Sequence, residues 1–167
     1  PFIMVCYRYS KNKNEDISLV IMGTKGEHNV AEKIFGSVAS SIMRDAECPV
    51  MAIPENAPET DINEIVYATD LKSESEESLK EAASIADLFE ASLVCVKVDT
   101  KSEDNKEELK NFESLINKLN LDNKIVEFTS DSISHGLDQF VQENGIDMIL
   151  MYHPERTFFE RIFHRSA

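Results

Sequence analysis

The chain has 167 residues, of which 42% are apolar and 29% are charged, a composition typical of a folded globular protein rather than a disordered one. Its net charge of −14 disfavours binding to nucleic-acid backbones, and its apolar runs are far shorter than the roughly 20 residues of a membrane span. Three cysteines without Cys-x-x-Cys spacing and four histidines without ligand spacing predict buried thiols in a reducing cytoplasm, with no structural metal.

Strands and helices are predicted to alternate along the chain. The helical spacing of Phe2, Val5, Cys6 and Tyr9 predicts the end of a helix at the start of the sequence. Beyond it we expect strands at 17–22, 50–53, 64–69, 92–98, 124–128 and 146–151. The helices between them are expected at 37–46, from the polar turn 70–78 to residue 90, at 103–119, at 133–144 and from 156 onward.

The patterns also predict which residues are buried. The run at 17–22, which is apolar except for one Ser, is typical of a strand covered on both faces in a parallel sheet. The helix at 37–46 is expected to turn one apolar stripe inward, formed by Val38, Ala39, Ile42, Met43 and Ala46. Gly145 is expected to stop the helix before it. Alternating strands and helices predict right-handed βαβ units in an α/β fold with a parallel sheet.

The sequence contains an internal repeat. Residues 17–22 resemble 146–151 at an offset of 129, and residues 32–35 resemble 160–163 at an offset of 128. Two matches in the same order predict a duplication. We expect residues 1–54 to be the C-terminal part of a first repeat, 55–63 a linker, and 64–167 a second repeat without its last strand. The chain would then be a segment of a longer tandem protein; alternatively, its two halves complement each other.

A glycine loop is the strongest chemical motif. The run Gly23-Thr24-Lys25-Gly26 is followed by nine residues and then Gly36-Ser37. Gly23 is expected to make a sharp turn with an unusual φ, and Gly26 to let the backbone approach a ligand. The pair Gly36-Ser37 opens a helix whose free N–H groups favour an anion. The Ser37 hydroxyl can cap that helix or donate to a phosphate oxygen. The spacing indicates a phosphate-binding loop that is neither the Walker loop nor the dinucleotide motif.

With this loop, the segments 19–26, 36–39 and 48–50 resemble the C-terminal half of a universal stress protein domain, whose ATP-binding motif is G-x2-G-x9-G-S. The run 65–70, followed by 75–79, is similar to that family's first strand and helix. The resemblance implies an open parallel five-stranded sheet with helices on both faces, repeated in tandem. It implies that ATP or AMP, with or without Mg²⁺, is held by the glycine loop.

The resemblance further implies that an Asp after the first strand contacts the nucleotide, and Asp70 matches it. The other interpretation of Asp70 is a helix N-terminal cap. The backbone near Val98 would lie by the adenine. The second repeat departs from the pattern, because Tyr152-His153-Pro154-Glu155 replaces the first glycine pair and His164-Arg165 replaces Gly36-Ser37. The predicted nucleotide-binding residues are Gly23, Thr24, Gly26, Gly36, Ser37 and Asp70, and the sequence predicts no complete site within one repeat.

Three functions remain open at this stage. The first is a stress-response regulator that binds an adenine nucleotide. The second is an interaction module that binds no nucleotide and forms a homodimer or pseudo-dimer through its last strand, formed by Val50, Met51, Ala52 and Ile53. The third is a weak ATPase. No Ser–His–Asp, Cys–His or paired-carboxylate pattern is present that would predict a dedicated enzyme.

Overall fold

The computed structural model describes residues 3–7, 19–24, 37–46, 48–57, 59, 61–72, 76–100, 105–119, 121 and 124–152. Its strands are β1 (Ile3–Tyr7), β2 (Val20–Gly23), β3 (Val50–Ile53), β4 (Glu64–Ala68), β5 (Ser92–Asp99), β6 (Ile125–Thr129) and β7 (Met148–Tyr152). Its helices are α1 (Ser37–Asp45), α2 (Glu76–Leu88), α3 (Lys106–Lys118) and α4 (Ile133–Asn144). The helix expected from residue 156 lies outside the described residues.

The seven strands form one sheet in the order β2-β3-β1-β7-β4-β5-β6. All neighbouring strands from β1 to β6 in that order are parallel, and β2 is parallel to β3. The two groups meet where β1 pairs with β3 in the antiparallel direction. The predicted α/β class is therefore confirmed, but one seven-stranded sheet takes the place of the expected five strands.

The predicted helix at the start of the chain is wrong, because Ile3–Tyr7 is strand β1. Met4, Val5 and Cys6 are each at most 2% exposed, since β1 lies between β7 and β3 with core on both faces. A short apolar run fits a helix and a buried strand equally well. Pairing with two distant strands decides between them here.

The register around β1 and β3 is symmetric. The pair Val5 and Met51 lies at the centre, flanked by Met4 opposite Ala52 and by Cys6 opposite Val50. On the outer sides, β1 pairs in parallel with β7, and β3 pairs in parallel with β2. The register of β1 against β7 is therefore equivalent to the register of β3 against β2. The same symmetry places Ile149 where Val20 lies, and these two residues also correspond at the offset of 129 between the similar segments 17–22 and 146–151.

Each face of the sheet has its own core. On one face, α1 contributes Ala39 and Met43, and α4 contributes Leu137, Phe140 and Val141. On the other face, the cover comes from α2 and α3 through Leu79, Ala82, Ala86, Phe112 and Ile116. This second cover reaches β1, β7, β4 and β5, but Ile21 on β2 remains 62% exposed.

Two burial predictions are therefore wrong. The strand at 17–22 was expected to be covered on both faces, but its described part, β2, lies at the edge of the sheet, with Val20 and Met22 half-buried and Ile21 exposed. In α1, Ala39 and Met43 are buried as expected, whereas Val38 is 69% exposed. The helix therefore turns a narrower apolar stripe inward than the sequence suggests.

Asp147 joins three strands at the amino end of β7. Its Oδ2 accepts hydrogen bonds from the backbone N–H groups of Asn63 (2.9 Å) and Glu64 (3.0 Å). Its own N–H donates to the carbonyl of Glu64, and its carbonyl accepts from Ile3, both at 2.9 Å. A single residue thus fixes the starts of β4 and β1 against β7.

Helix α4 runs from Ile133 to Asn144 as predicted. The Ser132 hydroxyl caps its start by accepting from the His135 N–H at 3.2 Å. Gly145 ends it in the left-handed region at φ 64°, which confirms the predicted stop. No helix in the described part of the chain is long and apolar enough to cross a bilayer.

Candidate functional site

The glycine loop connects β2 to α1. Strand β2 ends at Gly23, and α1 begins at Ser37 and leads into the parallel strand β3. In such a βαβ unit the helix runs against the strands, so its N-terminus lies at their carboxyl edge. The N–H of Thr24 donates to the carbonyl of Ile53 at 3.1 Å, which fixes the start of the loop there. Gly26 and Gly36 lie outside the described residues.

The N-terminus of α1 is suited to an anion. Its first turn contains no acidic residue, which is also true of α4, whereas α2 and α3 each begin with two glutamates. The first amides of a helix have no partner within the helix, and the helix dipole makes this end positive. In a chain with a net charge of −14, α1 combines an acid-free helix start with a glycine loop before it, and this combination favours phosphate.

The expected role of Gly23 is corrected. Gly23 is the last residue of β2 and lies outside the positive-φ region, where Gly145 is the one glycine among the described residues. A Cβ added at Gly23 would have no heavy atom within 4 Å. Neither backbone strain nor crowding by the protein therefore requires glycine at this position.

Asp70 lies after β4 and is half-buried. Its Oδ1 accepts a hydrogen bond from the N–H of Lys72 at 2.9 Å, and the Thr69 hydroxyl accepts from the N–H of Leu71 at 2.9 Å. Leu71 takes φ 64° between them. Asp70 thus closes a tight turn, and the cap interpretation is wrong, because α2 begins later, at Glu76.

The structure places Asp70 and the glycine loop on opposite sides of the sheet along the strand direction, so that one lies where β2 and β3 begin and the other where they end. Strand β4 is parallel to β7 and β1, and β1 is antiparallel to β3. The carboxyl end of β4 therefore lies at the edge where β2 and β3 begin. Four strand-to-strand steps separate β2 from β4, a lateral distance of about 19 Å. Asp70 and Val98 cannot contact a nucleotide held by Gly23 and Ser37.

A polar cluster at the end of β5 escaped the sequence prediction. The Asp99 carboxylate accepts hydrogen bonds at 3.0 Å from both Lys97 Nζ and Asn105 Nδ2. All three side chains are largely buried. The alternation of Lys97 and Asp99 in the sequence was the available signal, because residues i and i+2 share one face of a strand.

The cysteines agree with the prediction of buried thiols for two of three positions. Cys6 and Cys95 are buried, and Cys48 is half-buried. Burial raises the pKa of the Cys6 thiol, since the apolar core disfavours its thiolate. Within the described ranges, no three His, Cys, Asp or Glu residues lie close enough together to hold a metal ion.

Comparisons with known proteins agree with this picture. Residues 11–54 match the model of the universal stress protein family, which covers the glycine loop, α1 and β3. A universal stress protein from Archaeoglobus fulgidus DSM 4304 has a similar structure, with a TM-score of 0.65 at 17% identity. The match covers 82% of this chain and 51% of that chain, so the chain spans about half the length of its neighbour. No curated protein sequence matches the chain. The resemblance to the universal stress protein family is confirmed.

Proposed function

We propose that this chain, whose residues 11–54 match the universal stress protein family, is a stress-response regulator that binds ATP or AMP. One observation carries the proposal. The family match spans a loop that leaves a parallel strand at Gly23 and enters the acid-free N-terminus of α1 at Ser37. A strand–loop–helix of this kind binds phosphate groups through backbone amides.

The residues of the glycine loop would have different roles in binding the nucleotide. The amides of Gly26 and Ser37 would donate to phosphate oxygens, and the hydroxyls of Thr24 and Ser37 would add further donors. Gly26 and Gly36 would leave room for the ligand beside the backbone. Mg²⁺ would accompany ATP and neutralise its phosphates. The nucleotide therefore requires no side chain from the opposite edge, where Asp70 lies.

The second repeat would bind no nucleotide. Its strand β7 ends at Tyr152, which is buried, where β2 ends at the exposed Gly23. Pro154 has no N–H to donate and Glu155 carries a negative charge, so both disfavour phosphate at that position. One nucleotide per chain is the expected stoichiometry.

Calorimetric titration of the 167-residue chain with ATP and with AMP tests the proposal. We expect saturable binding that Gly26→Glu weakens by about tenfold or more, which corresponds to about 1.4 kcal/mol, because the added carboxylate would face the phosphates. Leu88→Glu is the matched control, since it adds the same charge at a side chain that is 77% exposed on α2. Failure to bind ATP at millimolar concentration, or equal affinities of Gly26→Glu and the parent chain, would overturn the proposal.

The same protein separates the alternatives. A weak ATPase would release phosphate faster than its Gly36→Arg variant, whereas we expect equal rates. For assembly, β3 already pairs with β1 through Met51 and Val5. We therefore favour a pseudo-dimer within one chain over a homodimer through Val50, Met51, Ala52 and Ile53. Sedimentation should show a monomer, and a dimer broken by a proline at Met51 would contradict this assignment.

A further inference from the structure

Every methionine of the chain lies in one part of the fold. The six methionines occupy β1, β2, β3, β7 and α1, whereas β4, β5, β6, α2, α3 and α4 contain none. Four of them share with Cys6 the core on the face of the sheet that α1 and α4 cover: Met4, Met22, Met43 and Met151. Sulfur is soft and polarizable, so this core contains a group of ligands that suit a soft metal ion.

The register of the strands brings three of these side chains together. Cys6 on β1 lies opposite Met151 on β7, and neighbouring strands are only about 4.8 Å apart. Met4 precedes Cys6 by two residues and therefore points to the same face of the sheet. All three residues are buried. One thiol and two thioethers thus lie side by side in a part of the core that water does not reach.

Helix α1 adds a fourth sulfur from above the sheet. Met43 is fully buried, and α1 packs against β3. Strand β3 presents Val50 and Ala52 to this face, and these two residues lie opposite Cys6 and Met4 in the register with β1. Met43 therefore enters the core over the strand next to β1. We define the sulfur cluster as the following four residues: Met4, Cys6, Met43 and Met151.

We propose that the sulfur cluster binds a soft monovalent metal ion, Cu(I). Cysteine thiolate and methionine thioether are the ligands that select Cu(I). Binding would form a bond between copper and the Cys6 sulfur while the thiol proton leaves to water, and no atom would change its oxidation state. One thiolate neutralises one positive charge, so the complex suits an apolar core. A divalent ion such as Zn²⁺ would keep a net charge there, which is costly to bury.

Met22 offers a route from the solvent to the cluster. It is half-buried on β2 and packs against the same core. It lies opposite Ala52, and Met4 lies opposite Ala52 from the other side. The two thioethers therefore flank a single methyl group, so an ion captured by Met22 would pass to Met4. Among the described residues no three His, Cys, Asp or Glu could hold a metal, but a thioether site does not require them.

Anaerobic titration with Cu(I), buffered by the chromophoric chelator bicinchoninate, tests the proposal. The parent for this experiment is the Cys48→Ser chain, because a half-buried thiol would bind copper on its own. We expect the folded chain to take one Cu(I) from the chelator. Copper should also raise the urea midpoint of unfolding, because the ligands meet only in the folded chain. Zn²⁺ should neither bind nor shift the midpoint.

Four substitutions in this parent test the ligands. Cys6→Ser should abolish copper binding. Met43→Leu keeps an apolar side chain of similar size and should weaken binding by about tenfold or more. Cys95→Ser and Met148→Leu are the matched controls, because both residues are fully buried on the other face of the sheet. They should leave the affinity unchanged, and circular dichroism should show that the copper-free variants are folded.

Several results would overturn the proposal. Failure to take copper from the chelator, or binding that survives Cys6→Ser, would show that Cys6 is not a ligand. Equal affinities of Met43→Leu and Met148→Leu would show that the thioethers do not bind copper, and this pair decides the matter if Cys6→Ser does not fold. Equal binding by the urea-unfolded chain would show that a lone thiol suffices. A Gly26→Glu chain should bind Cu(I) normally, because the cluster is independent of the glycine loop.

Discussion

Strands β2 and β7 have similar sequences and different surroundings. Both are mainly apolar, with the sequences VIMG and MILMY, yet Ile21 is 62% exposed and its counterpart Leu150 is fully buried. The difference arises from the neighbours, since β7 lies between β1 and β4 whereas β2 is at the edge of the described sheet. An apolar run therefore indicates a strand, but the rest of the fold decides how much of it is covered.

The largest expected difference is in the free energy of unfolding when Leu150 and its counterpart Ile21 are each replaced by alanine. Leu150→Ala would leave a cavity in a close-packed core, and we expect a loss of about 2–5 kcal/mol in the free energy of unfolding. Ile21→Ala should cost less than about 1 kcal/mol, because most of its side chain already contacts water. Urea unfolding of the two variants measures both values. Equal losses would show that Ile21 is covered in solution.

A smaller loss is expected at the start of β7. Asp147→Ala removes an acceptor for two backbone N–H groups, those of Asn63 and Glu64. Both donors belong to exposed residues, where water can replace the carboxylate, so we expect a loss of about 0.5–1.5 kcal/mol in the free energy of unfolding. Asp61→Ala, at an exposed carboxylate in the same segment, should change stability by less than about 0.5 kcal/mol. Urea unfolding of both variants tests this, and amide exchange at Glu64 should accelerate only in the first.

The two helices α2 and α3 are joined by a pH-dependent contact. Lys118 Nζ lies 2.6 Å from Glu76 Oε2, and Lys80 Nζ lies 2.8 Å from Oε1. The hydrogen bond from Lys118, followed by that from Lys80, lowers the pKa of Glu76 from 4.5 to about 2. A carboxylate with a lowered folded pKa stabilises the fold above its unfolded pKa and loses that contribution as the pH falls through the folded value.

The stability difference between the parent chain and Glu76→Gln should therefore be constant above pH 4.5 and disappear as the pH approaches 2. Urea midpoints between pH 7 and pH 2 measure it, and the NMR titration of the Glu76 carboxyl gives the pKa directly. Glu77→Gln removes the same charge at the next residue and serves as the comparison. A Glu76 titration near pH 4.5 would show that the link between α2 and α3 does not form in solution. Added salt should weaken the effect, because the pair lies at the surface.

The smallest expected effect tests whether Asp70 and the glycine loop lie at opposite ends of the strands. Asp70→Asn should leave ATP affinity unchanged, because β4 and β2 end at opposite edges of the sheet. The substitution keeps an oxygen that can accept from the Lys72 N–H, so the turn should be preserved. Calorimetric titration beside the Gly26→Glu variant measures the difference. A tenfold loss of affinity in Asp70→Asn would contradict the arrangement of the strands.

Local patterns predicted the elements well where each one is specified by its own residues. Strand β3 and helix α4 have the predicted bounds. Gly145 ends α4 because glycine readily takes the left-handed φ at which the helix stops. The wrong predictions concern features that depend on which strands pair with each other. Residues 3–7 fit either secondary structure until β7 and β3 are known to enclose them. The exposure of Ile21 depends on which strand lies at the edge.

The candidate site shows the same division. The motif located the strand, the loop and the helix start, because the turn and the helix N-terminus are local features. It also grouped Asp70 with the glycine loop, whereas the antiparallel contact of β1 with β3 sends the two to opposite edges. The cluster of Lys97, Asp99 and Asn105 joins the end of β5 to the start of α3. The sequence did not predict it, because the contact of Asn105 with the carboxylate depends on where α3 begins relative to β5.

The position of β1 has a consequence for folding. Ile3 pairs with Met148, so nearly the whole described chain must form a closed loop before this contact exists. Closing a long loop costs entropy, and contacts between distant residues slow folding. The units β2–α1–β3 and β4–α2–β5 contain only nearby contacts and should form early. Strand β1 would enter last, between β3 and β7, and its insertion would turn two separately formed sheets into one cooperative unit.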